Sequence, residues 1–255
     1  MAALEAAAQR DTMTAAVAIF VKTPGFSPVK TRLAARIGVT CAEHFYRMAI
    51  RAIAEVVAGV PGLAPYWAVA EQRAVKDPMW REFHTVAQGP GSLGVRLDRV
   101  CRELQASHGR VLMVGADAPQ LTAALLLDAM AALDDPSTPF VLGRASDGGF
   151  WLFGTRRDVP AAVWNSPAYS SATTCDQLVA ALSPLGDIAP LPRLTDVDHC
   201  DDLLALSAAL HALERPLPAQ LALREWLSRP PATKAAARTM TTTSDAGSAS
   251  KTQRD

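Results

Sequence analysis

Residues 15–21, Ala-Ala-Val-Ala-Ile-Phe-Val, form an unbroken apolar run that empties into a loop, Lys22-Thr-Pro24-Gly25-Phe-Ser-Pro-Val-Lys30-Thr31-Arg32-Leu33, carrying three cations among glycine and proline. Without polar residues at every second position, such a run fits a strand buried on both faces, and that demands helices on both sides of a largely parallel sheet. Loops at the carboxyl ends of such strands are where α/β proteins place phosphates, because backbone N–H groups and fixed positive charge converge there. We read the loop, from Lys22 through Pro24, Gly25 and Lys30 to Thr31 and Arg32, as a nucleotide-phosphate cradle. Gly25 permits a positive φ and close backbone approach, while Lys30 and Arg32 are placed to reach a pyrophosphate. The plainer alternative is a solvated loop ahead of a helix. Neither G-x-x-x-x-G-K-[ST] nor G-x-G-x-x-G is present, so the loop is not a Walker or Rossmann fingerprint.

A chain of 255 residues that is 49% apolar is large enough for one domain with a full-sized core. Its 25 basic and 25 acidic side chains cancel, which removes the field of a nucleic-acid or anionic-membrane binder and points to a small-molecule partner. Cys41, Cys101, Cys175 and Cys200 form no C-x-x-C pair, so reduced thiols of a cytoplasmic protein are expected. No stretch approaches the roughly 20 apolar residues that span a bilayer. Residues 1–13 are expected to form a flexible N-terminus, 14–228 the domain, and 229–255 a disordered tail too polar to offset the entropy of ordering it.

Strands are predicted at Ala15–Val21, Tyr66–Ala70, Arg110–Gly115 and Phe140–Gly143. Helices are predicted from Thr40, with Glu43 completing a capping box, and at Leu93–Gln105, Leu121–Leu133, Tyr169–Leu182, Cys200–Leu213 and Ala219–Leu227. Asp147-Gly148-Gly149 ahead of Phe150–Phe153 signals a hairpin or a re-entrant strand. Strands alternating with helices give a single-domain α/β fold, a mostly parallel open sheet with helices on both faces.

Three further constellations sit at strand ends. Gln88-Gly89-Pro90-Gly91-Ser92-Leu93-Gly94-Val95-Arg96 precedes a helix, where glycines can curl the backbone round a base or ribose with Arg96 in the early turns; ordinary loop punctuation is the equal alternative. Asp117, in Gly115-Ala116-Asp117-Ala118-Pro119, is a hard-cation ligand for Mg²⁺ or Mn²⁺ or else the cap of the next helix. Thr195-Asp196-Val197-Asp198 puts two carboxylates on one face of an extended segment, and about 4 Å apart they repel by roughly 4 kcal/mol at an effective dielectric of 20. A divalent cation removes that penalty. The competing reading makes Asp198 an N-cap with Asp201 in the first turn, and leaves Asp196 without a purpose. Trp67, Trp80, Trp151 and Trp164 read as core or rim aromatics, with a stacked sugar the alternative for Trp151 or Trp164; the histidines show no ligand spacing, His199 alone being a suspect beside Asp198, and no G-x-S-x-G elbow is present.

In this order the motifs resemble a bacterial family of glycosyltransferases of the GT-A, nucleotide-diphospho-sugar transferase fold, catalogued as DUF2064, some of whose members are linked to arsenosugar biosynthesis. The segments that carry the resemblance are Lys22–Leu33, Gln88–Leu97, Gly115–Leu121, Asp147–Gly154 and Asp196–Asp198, within a match from Ala15 to Leu213. The cation loop, the D-x-P element and the D-x-D pair also resemble guanylyltransferases of deazaflavin cofactor synthesis. The resemblance implies metal roles for Asp117, Asp196 and Asp198 and phosphate roles for Lys22, Lys30 and Arg32. Two departures bear on the acceptor: Trp164-Asn165-Ser166-Pro167 replaces the family's W-S-T, and His199 follows the D-x-D where the family has Thr.

The expectation is a transferase dependent on Mg²⁺ or Mn²⁺ that moves a sugar from a nucleoside diphosphate sugar to a small acceptor, the donor contacted also by Gly89, Gly94, Arg96, Gly148 and Gly149. Asp147 and Asp198 are the carboxylates available for proton transfer. Nucleotidyl transfer from an NTP to a phosphorylated metabolite, or nucleotide binding without catalysis, are the alternatives.

Overall fold

The computed structural model describes residues 15–229. The expectations for residues 1–13 and for the tail beyond residue 229 lie outside the described residues. Seven strands form one sheet: β1 (Ala15–Val21), β2 (Leu63–Val69), β3 (His84–Ala87), β4 (Val111–Gly115), β5 (Phe140–Ala145), β6 (Phe150–Thr155) and β7 (Ile188–Leu194), in the order β3-β2-β1-β4-β6-β5-β7. β6 runs antiparallel to both β4 and β5, and the other pairings are parallel. The helices are α1 (Thr31–Ile37), α2 (Val39–Ala58), α3 (Leu93–His108), α4 (Ala123–Asp134), α5 (Ala161–Asn165), α6 (Thr174–Leu182), α7 (Asp202–His211) and α8 (Pro218–Ser228).

Successive side chains of β1 point to opposite faces, as the strand pleat requires. Val17, Ile19 and Val21 pack with Tyr46, Ile50 and Ile53 of α2 and Leu126 and Leu133 of α4. Ala16 and Ala18 pack on the other face, where Leu97, Val100 and Leu104 of α3 and Leu178 of α6 close the core. Both faces of β1 are therefore dry, which accounts for its uninterrupted apolar run. A third cluster joins α1 and α2 to α7 and α8 through Leu33, Phe45, Leu206 and Leu223. Trp67, Trp80, Trp151 and Trp164 are all buried, so these four belong to the core.

Several elements differ from the sequence expectation. The cation loop ends early, in the two-turn helix α1, and α2 begins at Val39 after Gly38 rather than at a Thr40 cap. Gly38 sits at φ 90, so the chain turns sharply between the two helices there, and no side chain caps α2. The two edge strands, β3 and β7, add to the strands that the sequence predicts. β3 has only four residues, and β7 carries Pro190 and Pro192, which remove ladder donors and are tolerated because the strand has one neighbour. α6 starts at Thr174 rather than Tyr169 because 169–173 form turns, and α7 starts at Asp202.

The strand order reverses direction at β1. From β1 the chain moves outward to β2 and β3, and then returns to place β4 on the other side of β1. Loops leaving β1 and β4 diverge at that point, and in open sheets the resulting crevice is where ligands bind.

Candidate active site

β1 and β4 are neighbours in register, Phe20 opposite Gly115, so the loop after β1 and the Ala116-Asp117 turn leave the sheet side by side. The loop's start is pinned from outside it. Lys22 N–H donates to the Tyr46 hydroxyl at 2.8 Å, and that hydroxyl donates back to the Lys22 carbonyl at 3.1 Å. Thr23 N–H donates to Glu71 Oε2 at 2.8 Å, and Trp80 Nε1 donates to Thr23 Oγ1 at 3.2 Å. Burial, with smaller contributions from the Asp117 and Glu71 carboxylates, pushes the Tyr46 phenol above its ordinary range, so it stays a neutral donor. The sequence held no signal for Tyr46, Glu71 or Trp80, which act on the loop from α2 and from the segment after β2.

At the loop's end Lys30 takes a left-handed conformation, φ 47 and ψ 45, immediately before α1. Its Nζ lies 2.6 Å from Asp117 Oδ1 and 3.7 Å from Asp198 Oδ1, and it donates to the carbonyl of Val197. Arg32 Nη1 meets Asp198 Oδ2 at 2.8 Å. The acid-bearing segments are also tied to each other, with Val197 N–H donating to the Asp117 carbonyl at 3.1 Å and Gln120 Nε2 to the Thr195 carbonyl at 2.8 Å. Lys30, Arg32, Asp117, Asp196 and Asp198 thus meet at one rim.

Both capping alternatives fail. α4 is capped by Thr122, whose Oγ1 accepts from Leu125 N–H at 3.3 Å, so Asp117 has no such duty. α7 starts at Asp202, whose carboxylate accepts from Asp198 N–H at 2.9 Å and His199 N–H at 2.6 Å; Asp198 is held by the helix's first residue, and Asp201 takes the N-cap position.

Asp196 is half-buried, and among the described residues no hydrogen bond or ion pair reaches its carboxyl. Burial holds that carboxyl well above the ordinary carboxylate range, Asp117 and Asp147 push it further, and the Lys30 ammonium pulls the other way. Asp147 comes from the β5–β6 turn, where its Oδ1 accepts from Gly149 N–H at 2.8 Å. Gly148 has φ 92, and a Cβ there would overlap the Ala172 backbone, while its carbonyl accepts from Cys175 N–H at 2.9 Å. The turn is therefore stapled to residues 171–175.

A cavity of about 660 Å³ opens on this rim. Lys22, Lys30, Thr31, Arg32, Arg96, Asp117, Asp147, Gly149, Asp196 and Asp198 all line it. Pro24, Gly25, Gly89, Gly94 and Gly148 are not among the residues that line it, and each also has a place in the local backbone or packing. Gly25, at φ 91, serves a turn in which Phe26 and Ser27 N–H donate to the Thr23 carbonyl, and Pro24 lies within that turn. Gly89 lies against the Arg99 guanidinium. At Gly94 any Cβ would overlap the Trp164 carbonyl, so its absence lets α3 approach α5. Arg96 is anchored through Nε to the Gly91 carbonyl at 3.0 Å, and Gln88 Nε2 donates to the Ala68 carbonyl at 2.8 Å beneath the loop. Phe150 of the hairpin signal also lines the cavity, together with Tyr169, Ser170 and Ser171, which carry no sequence signal as site residues because they come from an irregular turn.

The donor set suits a hard divalent cation. All four acids supply oxygen, and Asp196 lacks a counter-charge of its own. Among the described residues no three His, Cys, Asp or Glu side chains already stand in ligand geometry. Among the described residues no helix is long and apolar enough to cross a membrane.

No curated protein matches the chain in sequence. In fold it is similar to a protein of Desulfovibrio desulfuricans G20 provisionally named a nucleotide-diphospho-sugar transferase, with 24% identity, 85% of this chain and 97% of that one covered, and a TM-score of 0.74. It is similar, more distantly, to the 4-diphosphocytidyl-2C-methyl-D-erythritol synthase of Anaerococcus prevotii DSM 20548, with 11% identity, 80% and 99% covered, and a TM-score of 0.53. A CMP:2-keto-3-deoxy-manno-octonic acid synthetase complexed with CTP gives 14% identity, 78% and 100% covered, and a TM-score of 0.51. The fold is thus that of the nucleotide-diphospho-sugar transferases. Residues 57–171 match the model of the family described as "Uncharacterized protein conserved in bacteria (DUF2064)", the family that the ordered motifs resemble.

Proposed function

We propose that this protein is a transferase of a nucleotide-activated donor that works with Mg²⁺ or Mn²⁺ and moves a glycosyl group from a nucleoside diphosphate sugar to a small acceptor. The observation that carries the reading is the meeting of Lys30 and Arg32 with Asp117, Asp196 and Asp198 at the mouth of one cavity, at the point where the strand order reverses.

Asp196 and Asp198, with Asp117, would hold the metal, which when bound supplies positive charge to the departing diphosphate. Lys22 and Arg32 line the same cavity and add fixed positive charge where negative charge develops, the electrostatic contribution that is commonly the largest in such transfers. Gln88, Gly91 and Arg96 line the side of the cavity toward β3, and Asp147 and Gly149 line the other. Asp198 is committed to Lys30 and Arg32, whereas among the described residues no hydrogen bond reaches Asp147 Oδ2, so Asp147 is the better placed to take the acceptor's proton. Such proton transfer contributes about 10²–10⁴-fold.

Nucleotidyl transfer is the second reading, favoured by the fold likeness to a synthetase complexed with CTP. The released product separates the two: nucleoside diphosphate from glycosyl transfer, pyrophosphate from nucleotidyl transfer. For either, Asp117→Ala should abolish metal-dependent donor binding in calorimetry while the protein keeps its melting transition. Unchanged metal-dependent binding by that variant counts against the site.

A further inference from the structure

Lys30 lies against two of the carboxylates that would hold a metal ion. Its ammonium has three protons, and it meets three acceptors: Asp117 Oδ1 at 2.6 Å, Asp198 Oδ1 at 3.7 Å and the Val197 carbonyl. The Lys30 side chain is 4% exposed, against 38% for Asp117 and 33% for Asp198, so the cation is sealed beneath the two carboxylates it pairs. The backbone is bent to put it there, since a left-handed conformation is uncommon outside glycine. Lys30 lies next to Thr31 and Arg32, which line the same cavity, and its four-carbon stem is flexible with donors that rotate freely. A small movement carries the ammonium from the acids to a diphosphate in that cavity.

We propose that Lys30 is an internal counter-ion that keeps the acidic cluster closed to metal until the donor's phosphates draw the ammonium away. Metal and donor therefore enter as a coupled pair, and the metal does not bind first. The inference rests on the donor reading above and concerns the order in which that site fills. Both carboxylates that Lys30 engages are among those that would hold a divalent ion. In the free protein a metal must displace a buried ammonium that has nowhere anionic to go. With a diphosphate present the ammonium gains phosphate oxygens, Asp117 and Asp198 lose their cation, and a divalent ion replaces it. Linkage makes the effect reciprocal, so the donor tightens the metal by the same factor as the metal tightens the donor.

The test is Mn²⁺ binding to the full chain without nucleotide, followed by calorimetry and by the electron paramagnetic resonance of free Mn²⁺, for wild type, Lys30→Gln and Lys30→Arg. Lys30→Gln should bind Mn²⁺ at least about tenfold tighter than wild type, within the range of ordinary coupling effects, and Lys30→Arg as weakly as wild type. A lysine that merely supports the fold gives the opposite: the cluster loosens, Mn²⁺ binds no better to the Gln variant, and the proposal is overturned. Melting curves of each variant establish that the comparison is between folded proteins. Should Lys30→Gln not fold, the wild type decides. Its Mn²⁺ affinity, measured with and without the nucleoside diphosphate sugar that stabilises it most, should differ by about tenfold or more, and equal affinities overturn the proposal. Absence of binding by every nucleotide would instead remove the donor reading, and the metal-only comparison of variants stands apart from that failure.

Discussion

Asp196 shows at the scale of one residue how a site is kept at the expense of stability. Its carboxyl is half-buried, has no partner of its own among the described residues, and is raised well above the ordinary carboxylate range by burial and by Asp117 and Asp147. A group raised in this way holds its proton in the folded chain where the unfolded chain has already released it, so folding stability is lost as pH rises from the ordinary carboxylate range through the raised value. Asp196→Asn removes that loss. In metal-free buffer the variant should match wild type at acid pH and melt higher at neutral pH. The expected rise is of the order of a few degrees, given that about 1 kcal/mol moves the midpoint by ~2–4 °C in domains of 150–250 residues. Melting curves across pH check the sign, and a neutral-pH midpoint at or below wild type would falsify the strain. The same carboxylates were visible in the sequence because each follows a strand end and two of them repel without a bridging cation. Tyr46, Glu71 and Trp80, which fix the loop from elsewhere, were not visible, since hydrogen bonds spanning 24 to 57 residues leave no local pattern.

Among the elements, the β5–β6 turn carries the clearest consequence. The Asp-Gly-Gly signal gave the hairpin, and the antiparallel pairing of β5 with β6 follows it. What the signal concealed is that Gly148 serves a contact with another segment as well as a turn. At φ 92 its α-carbon is pressed against the Ala172 backbone, and its carbonyl takes the Cys175 N–H. Gly148→Ala adds a methyl group that must separate the two segments. A destabilisation of about 1–3 kcal/mol is expected from overpacking alone, since neither neighbour is a flexible side-chain end. Because Asp147 rides on this turn and the cation rim does not, turnover should fall further than donor affinity. Denaturant titration gives the first quantity, and calorimetry beside steady-state rates gives the second. A variant that loses donor affinity and turnover in equal measure would place Asp147 on the donor side of the cavity. Gly94 likewise serves packing, since the absence of a Cβ lets α3 close on the Trp164 carbonyl, a contact that its place in a glycine-rich segment did not announce.

For the whole molecule, the alternation of strands and helices was sufficient to reach a mostly parallel sheet covered on both faces, and the re-entrant character of β6 was readable from its turn. The edge strands were not. β3 is too short to show periodicity, and the prolines of β7 argue against a strand unless its edge position is already known. Strand order is likewise a property of long-range pairing, and it is this order that brings the loops after β1 and β4 together and makes a site of residues 30, 117 and 198. A site assembled from segments so far apart in sequence ties ligand binding to the folding of the whole sheet. Any ligand held by that rim must then stabilise the entire domain by RT ln(1 + [L]/Kd), about 2.7 kcal/mol at a hundredfold excess over Kd, or roughly 5–10 °C in melting midpoint. UDP-, GDP-, ADP- and TDP-sugars and free NTPs, each with and without Mn²⁺, provide the panel. One base should stand out, and its shift with Mn²⁺ should exceed the sum of the shifts given by nucleotide alone and by Mn²⁺ alone, because the two ligands share Asp117 and Asp198 with a single lysine. If the two shifts simply add, nucleotide and metal occupy independent places and the rim does not grip them together.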